Sequence, residues 1–370
     1  MTSVRTPFLV CGLWLLSAPA AVAQDVTIRR ATNHVITLSM SNLGTHTNVT
    51  VVETKKGLVV IETEITPYIM NKIKEAAEKE LGRSDWAYVI NTHSHLHHAG
   101  GNCLFREAQI VGHETMNLDW LRDRLSTVAG RQHYCRNVGV DVAIDGLRRT
   151  LARGAITPPQ RQELRRRLDF CRAVEKEIMT GFEVVNPTIT FRDRYTLDLD
   201  DVHLRLVYWG DAINHSSIFV HVVEDHILVG MGMAGDWIPE FYGKASLDGI
   251  RRAISLWKEF SDSNLRIDLM VGVHNPDPVT SRRHFQHRAE YLQALLDDLI
   301  EARQQGLSQQ QVKDALSLDR RYPRVRTYFT QPQNLDERHQ KNIDTIWRLL
   351  QEEAPSTPRI ETTSSLRSSQ

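Results

Sequence analysis

The apolar run WAYVIN (86–91) passes without a break into THSHLHHAGG (92–101), where four histidines fall within six positions. The run reads as a short buried strand. The cluster reads as the turn at which that strand gives way to a helix starting near Cys103. A chain with this feature must set several imidazoles at the end of a core strand. Packing alone does not ask for that, whereas a metal ion does. His93 and His95 are two apart in extended backbone, so both side chains project to one side. His98 comes three residues after His95, where a turn can swing it into the same cavity. Neutral imidazoles are good zinc ligands, and three protein ligands with an open position make a catalytic rather than a structural site. Gly100 and Gly101 let backbone pack closely beside whatever the cluster holds.

Around this feature the sequence alternates between strand and helix signals. Residues 26–38 and 47–62 alternate and carry β-branched side chains, and each reads as strand. A helix is expected over 68–81 and a return to strand over 109–112. From 115 to 182 the period becomes helical: Leu118, Leu121, Leu125 and Val128 recur three or four apart, as do Ile144, Leu147 and Leu151, then Leu164, Leu168, Cys171, Val174 and Ile178. Thr157 before Pro158-Pro159 marks the start of the last of these helices. The segment reads as an inserted helical subdomain whose arginine-rich faces are solvated. Strand signals resume at 188–191, 196–199 and 203–209, and a hairpin pair is expected at 217–223 and 226–229. A helix over 246–260, a strand over 267–273 ending on His274, and helices near 281–304, 308–316 and 336–353 complete the order. The tail over 355–370 is rich in Ser and Thr and is expected to be disordered. Strands alternating with helices argue for a layered α/β fold.

Lys plus Arg and Asp plus Glu both number 45, so the formal net charge is zero. Nothing in that balance calls for nucleic acid or an acidic membrane surface. Arg5, the apolar run 8–16 and Ala21-Val22-Ala23 read as an export signal cleaved after Ala23. The run is too short to span a bilayer. The expected product is a periplasmic or secreted chain, residues 24–354 forming one domain with the insert 115–182 inside it. Cys103, Cys135 and Cys171 remain after cleavage, in a compartment that permits disulfides. An odd number leaves at least one thiol unpaired or paired elsewhere. Cys135 and Cys171, both in the insert, are a candidate disulfide. His113, His221, His226, His284 and His287 read as solvated or locally bonded histidines.

The segment VINTHSHLHHAGGN (89–102) resembles the signature of the metallo-β-lactamase superfamily, a His-x-His-x-Asp-His pattern followed by small residues. NVTVVETKKGLVVIE (48–62) resembles the family's opening strands, and Gly112-His113-Glu114 the strand after the motif helix. Asn214-His215-Ser216 resembles the next ligand block, and Val271-Gly272-Val273-His274 the final one. The resemblance implies a four-layer αββα sandwich with metal at one edge of two sheets. It implies that His93, His95 and His215 hold a first metal, and that His98 and His274 contribute to a second.

Three positions depart from the family pattern. His97 stands where the family has a metal-binding aspartate that helps orient the attacking water. It can still ligate through a ring nitrogen, but without charge, so a second cation is repelled more strongly by the first. The place of the family's bridging aspartate falls near Gly232, with Asp236 close by as a candidate substitute. Glu62 stands where an aspartate often supports the metal loop, and Asp211 is a candidate hydrogen-bond partner for a ligand imidazole or the closing residue of a turn. One alternative is a second site of His97, His98 and His274, as in the third metallo-β-lactamase subclass and its non-lactamase relatives. The other is a single working metal at His93, His95 and His215.

The expected function is that of a secreted hydrolase using one or two zinc ions. A metal-bound hydroxide would attack an ester, lactone, thioester or amide carbonyl of a small molecule, β-lactams among them. No Gly-x-Ser-x-Gly nucleophile pattern is present. The insert and the aromatic loop 237–242 would shape the pocket, with Trp209, Trp237 and Tyr242 as candidate walls. The alternative is a fold relative that binds metal or a ligand with weak or no turnover.

Overall fold

In the strand Gly57–Ile61, Leu58 and Val60 face one apolar cluster and Val59 and Ile61 face another. A strand apolar on both faces needs cover on both, which places its sheet inside a layered molecule. The computed structural model, which describes residues 26–40, 47–95, 97–153, 156–212, 214–230, 238, 241, 245–274, 283–329 and 334–353, has that arrangement. The first sheet runs in the order β1 (Thr27–Arg30), β2 (Val35–Ser39), β3 (Asn48–Thr54), β4 (Gly57–Ile61), β5 (Trp86–Ile90), β6 (Gln109–His113), β7 (Ile189–Phe191). It is antiparallel from β1 to β4 and parallel from β4 to β7. The second sheet contains β8 (Arg194–Asp198), β9 (His203–Tyr208), β10 (Ile218–Val222), β11 (Ile227–Gly230) and β12 (Leu269–Gly272), with only β11 and β12 paired in parallel.

Residues 26–38 and 47–62 each fold as a hairpin rather than one strand. The alternation continues through both turns, but Ala31 N donates to Val35 O (2.8 Å), and Gly57 takes φ +119° at the second turn. The expected helix start at Cys103 is a single 3-10 turn, Asn102–Leu104.

The helix α1 (Pro67–Leu81) starts at Thr66, whose side chain accepts from Ile69 N, and stops at left-handed Gly82. The insert forms α2 (Asp119–Ser126), α3 (Val128–Asn137), α4 (Val140–Ala152) and α5 (Pro158–Thr180), the last opened by a Thr157/Gln160 capping box. With α1 these helices cover the outer face of the first sheet, Ile69, Leu121, Tyr134, Ile144 and Val174 packing in one cluster with Ile36, Leu38, Val51 and Val60. The outer face of the second sheet is covered by α6 (Leu247–Phe260), α7 (Arg283–Gln304), the short α8 (Gln309–Ala315), α9 (Leu318–Arg321) and α10 (Val325–Tyr328), and α11 (Leu335–Glu352). Between the sheets, Val52, Val59, Ile61 and Ile90 meet Leu204, Leu206, Val220, Val229 and Val271. The result is the four-layer αββα sandwich with helical additions.

Cys135 and Cys171 are not bridged. Each is a free, buried cysteine in the cluster between α1, the insert and the first sheet. There each thiol fills space as a small apolar side chain, and burial pushes both up to about 11. Among the described residues no helix is long and apolar enough to cross a membrane.

The two sheets are stitched at one edge. Ile218 N, at the start of β10, donates to Thr92 O just past β5 (2.9 Å). Asn48, which opens β3, donates its backbone N–H to Val273 O (2.8 Å) and its Nδ2 to Gly272 O (2.6 Å) beyond and at the end of β12. Three loops therefore converge there, carrying residues 92–98, 214–216 and 274.

Candidate metal centre

Glu62 leaves β4 with φ +74° and Glu64 follows with φ +59°, an unusual backbone for two residues with side chains. The motif turn holds this loop: Thr63 N donates to His98 O (2.9 Å), and Gly100 N and Gly101 N donate to Glu64 O and Thr63 O (both 2.8 Å). A Cβ on Gly100 would lie 2.1 Å from Ile65 O, and one on Gly101 would lie 2.5 Å from Met70 Cβ. The paired glycines thus serve the approach of the turn to this loop and to α1. Beneath them Asn91 and Asn102 exchange carboxamide hydrogen bonds (2.9 and 3.1 Å), and Thr63 Oγ1 donates to Asn102 Oδ1 (2.6 Å). Sequence reasoning missed this buried network. Its signal was an asparagine at each end of the histidine motif.

The histidines stand on that base. His93 Nδ1 faces Thr92 Oγ1 at 3.0 Å, which leaves its buried Nε2 without a hydrogen-bond partner. His98 Nδ1 lies 2.7 Å from Glu62 Oε2. The two atoms form a close buried polar pair, and His98 Nε2 is left buried without a hydrogen-bond partner. The other Glu62 oxygen accepts from Thr92 N (2.9 Å). Ring centroids lie 4.1 Å apart for His93 and His98, 4.6 Å for His93 and His95, and 4.2 Å for His97 and His98. From the second sheet's edge His274 joins them, its ring 4.9 Å from His98 and its Nε2 3.4 Å from His97 Nε2. Two overlapping sets of donor atoms each lie within 4.8 Å of one another: His97, His98 and His274, and Glu62, His93 and His98. His93, His98 and Glu62 are buried, His95 and His97 half-buried, and His274 exposed, so the cluster has a closed floor and an open mouth.

Burial, with the neighbouring rings adding repulsion, holds His93 and His98 well below the usual histidine range and takes His97 down to about 3. The rings are therefore neutral at pH 7, the form in which imidazole offers lone pairs. Burial pushes the Glu62 carboxyl up to about 8, opposed by its bond from Thr92. Neutral imidazoles with one carboxyl fit a divalent cation such as zinc. A cation there would satisfy His93 Nε2 and one nitrogen of His98, both buried without a hydrogen-bond partner.

His215 stands apart from this cluster. It is exposed, and its backbone carbonyl accepts from Thr115 Oγ1. Its neighbours tie the loop to the motif: Ser94 N donates to Ser216 Oγ (3.0 Å), and Ser216 donates through N (3.0 Å) and Oγ (2.9 Å) to Asn214 Oδ1.

One expectation is corrected, and of the two readings of Asp211 the turn is the one found. Trp209 is no pocket wall: it is 1% exposed and packs on Phe219 and Trp257 under α6, because its ring faces the helical side of the second sheet. Asp211 accepts from Ser246 Oγ (2.6 Å), the cap of α6, and no ligand imidazole contacts it among the described residues. It closes a turn against the helix. His113 is locally bonded, as expected, to Thr115 and to the Arg192 carbonyl. Gly232, Asp236, Trp237 and Tyr242 lie outside the described residues.

The sequence profile described as the Metallo-beta-lactamase superfamily matches residues 43–230. No curated protein matches by sequence. Among solved structures, the stereoselective inverting sec-alkylsulfatase Pisa1 from Pseudomonas sp. is similar at 13% identity and a TM-score of 0.55, over 87% of this chain and 50% of that one. This chain thus spans about half the length of the alkylsulfatase, and at that identity the likeness is one of fold. A metallo-beta-lactamase from Pontibacter korlensis is similar at 13% identity and a TM-score of 0.48, over 73% of this chain and 99% of that one.

Proposed function

The chain belongs to the metallo-beta-lactamase superfamily, and from that membership we propose that it is a metal-dependent hydrolase of a small ester, lactone, thioester or amide, working outside the cytoplasm once residues 1–23 are removed. The observation that carries the reading is the gathering of neutral imidazoles at the open sheet edge: His97, His98 and His274 offer donor atoms within 4.8 Å of one another, beside the buried, unpartnered Nε2 of His93. Each orphaned polar atom costs the fold roughly 1–3 kcal/mol. A fold that keeps such nitrogens together has a use for them.

His93, His95 and His215 would hold one zinc ion, and His97, His98 and His274 a second. A divalent ion held there supplies Lewis acidity toward a carbonyl oxygen and toward water. Glu62, against His98 Nδ1, turns that ring so that Nε2 is left for the ion. His97 offers a neutral donor in place of the family's carboxylate and orients water at the half-buried rim. Asp236 is the candidate for the bridging carboxylate. Trp237 and Tyr242 remain the proposed pocket walls.

The test is zinc content per chain before and after loading, joined to a hydrolysis screen. The screen covers esters, lactones, thioesters and β-lactams, and also a sulfate ester because an alkylsulfatase shares the fold. About one or two zinc ions per chain, with turnover that a chelator abolishes, is the expected result. No zinc after loading overturns the proposal. Zinc without turnover on any substrate supports the second reading, a metal- or ligand-binding protein, which the loss of charge at His97 favours.

A further inference from the structure

We propose that Thr115, backed by His113, is a positioning residue for His215, an inference that rests on the reading of His215 as a ligand. The rings of His93 and His98 are buried and fixed by packing. That of His215 is exposed and has no ring contact with the cluster among the described residues. Where it stands is therefore set by what holds its backbone.

One tie comes from the motif turn, through Ser94 N to Ser216 Oγ (3.0 Å). The other comes from the strand after it. Thr115 follows β6 of the first sheet, and its hydroxyl donates to the carbonyl oxygen of His215, ahead of β10 in the second sheet. A hydroxyl has one proton, and here it goes to His215. His113 Nε2 carries the neutral ring's one proton toward Arg192 O, so Nδ1 is an acceptor, receiving Thr115 N (3.3 Å) and lying 2.7 Å from Thr115 Oγ1. His113 is itself held on several sides. It is 2% exposed, its Nε2 is 2.8 Å from Arg192 O, and its ring stacks on Tyr208 at 3.7 Å and 14°. A buried, stacked ring thus anchors the backbone of an exposed threonine, whose hydroxyl in turn holds the loop of an exposed histidine across the junction of the two sheets.

The experiment measures zinc affinity by competition with a chromophoric chelator, on the wild type, Thr115→Val, Thr115→Ser and His215→Ala. Because Thr115 is exposed, the valine variant is expected to melt with the wild type when metal-free. Loss of one ordinary hydrogen bond should weaken zinc binding roughly three- to tenfold in Thr115→Val. The serine variant should restore it, and His215→Ala should lose more than either. If His215→Ala weakens binding while Thr115→Val stays within about twofold of wild type, the positioning role is wrong and the ligand reading stands. If His215→Ala leaves the affinity unchanged, the ligand reading fails and the inference with it. A Thr115→Val loss that serine does not rescue, with a lowered metal-free melting temperature, marks general destabilisation and also overturns the proposal.

Discussion

Glu64 is buried beside Glu62, its Oε2 accepting only a long bond from Ile65 N (3.3 Å). Burial first, then the neighbouring carboxylate, pushes its carboxyl up to about 8 from an ordinary 4.5. A folded pKa raised above the unfolded one means that the group's full contribution to stability is present below 4.5 and is lost as pH rises through 8. Glu64→Gln should therefore stabilise the metal-free protein by on the order of a few kcal/mol near pH 8–9 and by much less at pH 5. Melting temperature against pH measures this, and equal gains at both ends would contradict the burial argument. His97 is the second residue whose chemistry can be altered alone. His97→Asp places a charge between His98 and His274, and calorimetric titration should show a second zinc ion bound about tenfold or more tightly. An unchanged isotherm would mean that position 97 does not touch the ion. The clustered imidazoles were legible in the sequence because spacing and strand-end position are local properties. The fates of Trp209 and Asp211 were not, since nothing local says which face of a sheet a residue after β9 will meet. The Thr115 tie joins residues 100 apart and leaves no mark on either segment alone.

At the scale of elements, the turn and its glycines are the stiffest part of the site. Gly100→Ala drives a methyl to 2.1 Å from the Ile65 carbonyl, which is backbone and cannot swing away. Denaturant unfolding should show a loss of about 2–4 kcal/mol or failure to fold. Gly146 is the control: it lies inside α4 with nothing within 4 Å of an added Cβ. Gly146→Ala should stabilise by about 0.5–1 kcal/mol, and a loss there would show that α4 packs against something else. Helices of the insert could be read from their apolar period and the Thr157 cap because both signals are short-range. The two hairpins were read as single strands because β-branched alternation does not stop at a turn. What breaks it is a backbone conformation, φ +119° at Gly57, which glycine permits but does not announce.

The molecule as a whole keeps its candidate ligands on two sheets. Residues 93–98 leave β5 of the first, whereas His215 and His274 flank β10 and β12 of the second. Among the described residues the junction beside them is tied by hydrogen bonds from Ile218, Asn48, Ser94 and Thr115. A cation bound to both groups would be a further link between the layers, so zinc should raise global stability by about 2.7 kcal/mol at a hundredfold excess over its dissociation constant. Chemical denaturation with and without zinc measures the total, and hydrogen exchange locates it. Protection should rise at residues 92–98 and also at the first amides of β10 and the last of β12. His274→Ala should keep the gain at 92–98 and lose it at β12, because only the contribution of the second sheet has been removed. Protection confined to 92–98 in the wild type would mean that the ion sits wholly on the first sheet, in the buried set of Glu62, His93 and His98, with His215 and His274 as bystanders. The same sandwich would then carry a structural ion with no open mouth, and hydrolysis would have to be abandoned as its function.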